Sequence, residues 1–233
     1  MKTTTLATIL LAACTSTTPG ARPHDMSAAQ HEREAKREAN AADRDAARYD
    51  PNARAVVQGC GPYDDVCWRS KRNPTAEYRR MADEHQRAAA DHRGASAALR
   101  DAEAKACVGI DGDDRDISPF ERKDDIASIE PVTERRWAGR GRSQRTVTAG
   151  VRVIFQPVPG LTAEKLQQEV DCHLARAAVL GHELPEMPDC PLVPKGAEAR
   201  VSATAQGLAV VVRADDLTAA ADIVARAERL KAR

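Results

Sequence analysis

The chain has 233 residues, 35 basic and 35 acidic side chains, six Cys and 3% aromatic residues. That length suggests one or two domains, and zero net charge gives no whole-chain basic bias of the kind that marks many nucleic-acid binders. No run of 18 apolar residues offers an integral transmembrane helix. The 42% hydrophobic content hides an uneven core, because 44 of those residues are Ala. Between Cys14 and Ala106 the only Ile, Leu, Val or Phe are Val56, Val57, Val66 and Leu99, against 31 from Cys107 to Arg233. Only the second half can bury a sizeable core.

The first segment reads as an address. Lys2 is followed by a short apolar stretch from Leu6 and then by Leu11-Ala12-Ala13-Cys14. A basic start, a short apolar region and small residues before a cleavage point describe an export signal, too short to span a bilayer. The segment resembles a bacterial lipoprotein signal, whose lipobox is an aliphatic residue, two small residues and Cys. That resemblance implies a signal peptide over 1–13, lipidation of the Cys14 thiol, and acylation of its new amine. Stable anchoring follows, because several acyl chains hold where one is marginal. In the family, Asp after the Cys favours inner-membrane retention; here Thr15 follows, so the expected place is the outer membrane, facing the periplasm or the cell surface. An ordinary secretory signal cut nearby is the alternative. Residues 14–25 read as a flexible tether.

Residues 26–107 read as an Ala-rich helical hairpin. Met26–Tyr49 lacks Gly and Pro and is rich in Ala, Glu, Arg and Lys, all good helix formers. Ala28, His31, Ala35, Ala39, Ala42, Ala46 and Tyr49 recur three or four apart, a narrow small-residue stripe that needs a partner. A second helix starts with Asn73 as cap and Pro74 at its first position. Its seam runs Tyr78, Met81, His85, Ala88, His92, Ala95, Leu99, Ala102 and Ala106, and Gly94 marks a place for a kink. The connection holds Cys60-Gly61-Pro62 and Cys67, whose seven-residue separation and turn chemistry suit a local disulfide.

Residues 108–145 read as an irregular linker with an acidic turn, Asp111–Asp116, and an arginine-rich one. Residues 146–233 read as a βαββα domain. Thr146–Gln156 alternates as a strand. Thr162 caps a helix to about Leu180, with Leu161 stapling to Leu166 and Gly181 just past its end. Pro185, Pro188, Pro191 and Pro194 recur every third residue, which favours an extended polyproline-like return. Ala197–Thr204 and Leu208–Arg213 form a hairpin, and Asp215 caps a last helix. The fold class is therefore α+β, the second part resembling in topology a ferredoxin-like fold without its last strand. Topology of this kind implies no function.

The chemistry-bearing residues are few. Helix rise and an extended return make a Cys172–Cys190 bridge reachable, which leaves Cys107 as the odd thiol, although Cys107 competes for either. Cys172, His173, His182 and Cys190 lack the tight ligand pairs of structural zinc sites. His85 and His92 lie about 10.5 Å apart along one helix, too far for one ion, while His31 faces His92 from the other helix of an antiparallel hairpin. His31, His85 and His92 are thus the candidates for metal, weighed against half-buried imidazoles with acidic neighbours. The Asp111–Asp116 run fails the spacing of a calcium loop in either register. Arg135, Arg136, Arg140, Arg142 and Arg145 surround Trp137, a patch suited to an anionic envelope partner such as lipid head groups or to a mobile linker; export takes nucleic acid out of reach.

No nucleophile elbow, phosphate-cradling loop or zinc-protease helix occurs. The expectation is a non-catalytic, outer-membrane-anchored lipoprotein that binds or scaffolds an envelope protein or anionic component, without a cofactor. Its rivals are a periplasmic metal-handling lipoprotein and an envelope enzyme.

Overall fold

Ser27 starts the first helix. Its hydroxyl accepts the Gln30 amide hydrogen bond, while the Gln30 side chain accepts from the Ser27 amide, a reciprocal cap that satisfies two otherwise orphaned donors. The computed structural model describes residues 26–60, 67–137 and 143–231. The expected lipobox and tether, and Arg140 and Arg142, lie outside the described residues. In chain order the elements are α1 (Ala28–Ala46), β1 (Ala55–Cys60), β2 (Cys67–Arg72), α2 (Ala76–Ala106), the short α3 (Gly112–Arg115), β3 (Ile126–Trp137), β4 (Gln144–Phe155), α4 (Ala163–Val179), β5 (Glu198–Thr204), β6 (Gly207–Arg213) and α5 (Leu217–Lys231). The fold is α+β, with an antiparallel helical hairpin beside a four-stranded antiparallel sheet.

The α1–α2 hairpin is packed through small residues. Ala28, Ala35 and Ala42 of α1 and Ala82, Ala89 and Ala95 of α2 are buried, which lets the helix backbones approach closely. α2 runs unbroken through Gly94, and its 31 residues span about 46 Å. It begins two residues later than expected: Asn73 Oδ1 instead accepts from the Thr75 amide, and the Asn73 side chain and Thr75 hydroxyl both bind Asp50 O, which ties the two helices at the neck. Beyond that neck β1 and β2 form a two-stranded ribbon, with Cys60 opposite Cys67 in the ladder. Cys67 is disulfide-bonded.

At the other end the hairpin rests on the sheet domain. Leu99, Ala28 and Ala178 pack together, Arg176 of α4 bonds Glu103 of α2 at 3.0 Å and also pairs with Asp116, and Cys107 bridges to Cys172. This corrects the expected Cys172–Cys190 pairing. Val170 lies in the sheet core, and Cys172, two residues on, is turned about 200° around α4 toward α2. Cys190 belongs to the sheet core and is a free, buried thiol.

The proline-rich return is likewise not extended. Met187, Cys190 and Val193 each donate an amide hydrogen bond to the carbonyl three residues earlier, Leu184, Met187 and Cys190. Pro185, Pro188 and Pro191 fall at the second position of these successive turns, where their fixed φ is favourable. The three-residue repeat points Leu184, Met187, Cys190 and Val193 inward, all buried.

The sheet has the order β3-β4-β6-β5. β4-α4-β5-β6-α5 is the expected βαββα unit. The edge beside β4, where a ferredoxin-like sheet carries its last strand, is filled by β3 from the N-terminal side. Part of the segment expected as an irregular linker, 108–145, is therefore a strand. Its composition looks irregular because β3 is an edge strand: Pro131 sits there, where no second ladder needs its missing amide. Val151, Val153 and Phe155 of β4, with Val210 and Val212 of β6, pack under α4 and α5 residues such as Leu166, Val170, Ile223 and Leu230. Both edges are blunted, β3 by Pro131 and a Lys231 bond to Ile129 O, and β5 by the Gln167 side chain, which accepts from the Val201 amide at 2.7 Å. The cap of α5 is Asp216, which binds the Thr218 and Ala219 amides, and not the expected Asp215.

Candidate functional site

Two groups of residues singled out from sequence acquire a definite geometry. The first is the histidine layer of the hairpin. His31 and His92 meet across the seam with Nδ1 atoms 2.9 Å apart, both buried, and their rings tilted at 45°. In a neutral pair one Nδ1 donates and the other accepts. Seven residues along, His85 turns away from this pair. Its Nδ1 lies 2.6 Å from Glu38 and its Nε2 3.7 Å from the buried Asp45. Ala35 and Ala89 lie between the two polar layers in sequence order. At the neck, Arg48 stacks over Tyr78 and Arg79 over Tyr49.

The seam thus brings His31 and His92 together and keeps His85 apart, as the axial spacing requires. Two imidazoles on a tetrahedral zinc would stand about 3.3 Å apart, so the pair is close to the spacing of two ligands. No group of three or more His, Cys, Asp or Glu side chains converges as a metal site among the described residues. What the geometry does supply is a register device: a buried hydrogen-bonded pair fits only one alignment of the two helices.

The second group is the arginine cluster. β3 and β4 pair along their full length, from Ile126 opposite Phe155 to Trp137 opposite Gln144. β6 accompanies β4 only as far as Gly150. The five pairs from Thr133–Thr148 to Trp137–Gln144 therefore overhang the sheet as a ribbon about 17 Å long. The overhang starts at a bulge, where Gly150 is required: a Cβ there would overlap the Val212 carbonyl oxygen.

The ribbon has two faces. Glu134, Arg136 and Val147 are half-buried on the inner one. Arg136 pairs with Glu134 and donates to the carbonyls of Ala214 and Asp215, at the start of α5. Arg145, directly opposite Arg136, would repel it; the Arg136 contacts with Glu134 and two carbonyls offset that charge. Val147 and Arg145 line a shallow groove with Leu217, Ala221 and Val224 of α5. On the outer face Thr133, Arg135, Trp137, Gln144, Thr146 and Thr148 are all exposed, and Trp137 is 66% exposed.

The remaining candidate residues fall elsewhere. His173, on α4, is buried. Its neighbours Ile117 and Asp114 present backbone carbonyls to it, a contact made by the 108–125 segment, where the sequence offers no periodicity. Asp116 of the acidic turn pairs with Arg176. Burial pushes the Cys190 thiol up from its ordinary range, against the opposing hydrogen bond from Ser118. The Ser27–Gln30 cap and the Gln167 edge block are additions that the structure makes; S-x-x-Q before an alanine-rich run is the legible signal for the former. In comparisons with known proteins, the chain matches no protein family, no curated protein and no solved structure.

Proposed function

We propose that the protein is a non-catalytic, lipid-anchored module of the bacterial outer membrane that holds or scaffolds other envelope components. The observation that carries this reading is the Cys107–Cys172 bridge, which fastens a helical hairpin about 46 Å long to the sheet domain. A covalently braced arm of that length is a spacer, and disulfides at Cys67 and Cys107–Cys172 suit the oxidising side of a membrane. The Leu11-Ala12-Ala13-Cys14 sequence supplies the anchor in this reading.

The anchor is tested by fatty-acid labelling in a bacterial host. Wild type takes up label and Cys14→Ser does not; a labelled Cys14→Ser chain overturns the lipid anchor. The scaffold role is tested by placing a photoreactive residue at Val56, exposed on the far ribbon of the arm. Cross-linking in intact envelopes yields a specific envelope partner, and capture of the general trafficking machinery alone overturns the role.

The 2.9 Å approach of His31 and His92 favours metal handling as a second reading. Calorimetric titration of zinc and copper into wild type and His31→Ala/His92→Ala separates it from the first: equal heats for both proteins remove it.

A further inference from the structure

The overhanging β3–β4 ribbon combines features that no packing requirement in the sheet explains. Trp137, one of two Trp in the chain, stands 66% exposed on a paired strand. Arg135 lies two residues away on the same outer face, about 7 Å along the strand. The only carboxylate on the described ribbon, Glu134, is engaged by Arg136. The ribbon's own acid therefore leaves the charge of Arg135, the arginine of the outer face, uncompensated. The inner face is fastened to Ala214 and Asp215, so the outer face is presented by an ordered support and binding need not order it.

We infer that the outer face of this ribbon docks on a bilayer surface of anionic phospholipid head groups, a membrane contact separate from the lipid on Cys14. Shape decides between a membrane and a free anion. Small anions and metabolites are held in concave sites, whereas Thr133, Arg135, Trp137, Gln144, Thr146 and Thr148 of this face are all exposed. The chemistry agrees: an indole settles at the head-group level with its ring toward the acyl chains, while an arginine beside it meets a phosphate. The inference extends the proposed envelope location and does not depend on Cys14 acylation.

The test uses the full chain with Cys14→Ser, so that no acyl chain contributes, in a Trp68→Phe background that leaves Trp137 the sole indole. Sedimentation is measured with vesicles of phosphatidylglycerol and phosphatidylethanolamine, and with vesicles of phosphatidylcholine alone. Binding is expected to the anionic vesicles only, with a blue shift of Trp137 emission and release by added salt. Arg135→Ala/Trp137→Ala weakens it about tenfold. Arg152→Ala, an equal loss of charge at an exposed position within the sheet, leaves it unchanged. Equal binding to both vesicle types, equal weakening by Arg152→Ala, or no loss in the double variant overturns the inference. So does binding of heparin at the affinity of the vesicles with no emission shift on either, which assigns the face to soluble polyanions. Circular dichroism checks that the variants fold. Because Cys14→Ser is present throughout, failure here is distinct from failure of the lipid-labelling experiment.

Discussion

His173 shows how a single residue couples the sheet domain to pH. It follows Cys172 on α4 and is buried against the 114–117 segment. Burial pushes its imidazole below the ordinary range and Arg176 acts in the same direction, while the carbonyls of Ile117 and Asp114 and the Asp116 carboxylate oppose the shift. The unfolded chain, with an ordinary imidazole near 6.5, takes up a proton first as pH falls. The stability that neutral His173 confers is therefore complete above that ordinary value and is lost as pH falls through the lower folded value. Urea midpoints measured from about pH 7.5 to about pH 5 should fall more steeply for wild type than for His173→Gln. Parallel slopes would show that the imidazole contributes nothing to the acid response.

At the scale of the element, the hairpin is a small-residue seam interrupted by polar layers, and each layer has a different consequence. Replacing either His31 or His92 by Leu leaves its partner's Nδ1 buried without that hydrogen bond, at about 1–3 kcal/mol. Replacing both removes the unsatisfied group, so the double variant should be more stable than the sum of the single losses by about 1 kcal/mol. Strict additivity in a thermal or urea double-mutant cycle would remove the coupling.

The seam is legible in the chain because period and register are properties of sequence: the three-and-four spacing of Ala28, His31 and Ala35, set against Ala89 and His92, already places the two histidines opposite each other. β4, α4, the β5–β6 hairpin and α5 are legible for the same reason. β3 is not, because an edge strand with Pro131 and charged residues lacks the apolar alternation that marks buried strands. The disulfide departs from expectation for a different reason. Reach along the chain sets only an upper limit, whereas the direction of each Cβ is decided by helix rotation at Cys172 and by the repeated turns at Cys190. Of the ribbon site, the arginines and Trp137 are visible as composition, but their division into an inner and an outer face depends on β3, a pairing partner that no periodicity marks.

For the whole molecule, the Cys107–Cys172 bridge is the main joint. It closes a loop with a sequence separation of 65 residues, and the chain-entropy model puts its contribution at about 4 kcal/mol. The noncovalent part of the joint includes Leu99 against Ala28 and Ala178, and Arg176 against Glu103. In Cys107→Ser/Cys172→Ser the hairpin should separate from the sheet domain before that domain melts. Two unfolding transitions are expected where wild type shows one, with protease cleavage near 108–117 preceding loss of the sheet. A single transition at the wild-type midpoint would show that the apolar contacts alone hold the two parts together.

The turn repeat after α4 carries one more implication, for how this chain can change length. Each turn advances the backbone by one Leu-Pro, Met-Pro or Cys-Pro step and returns the next inward position to the core. Residues there are counted in threes. Removing or adding a whole triplet would shorten or lengthen the strap and keep its inner stripe intact. A change of one residue ahead of Cys190 would shift that position, turning Cys190 outward and bringing a polar neighbour such as Asp189 in. The segment has the composition of a permissive surface loop and the arithmetic of a coding frame.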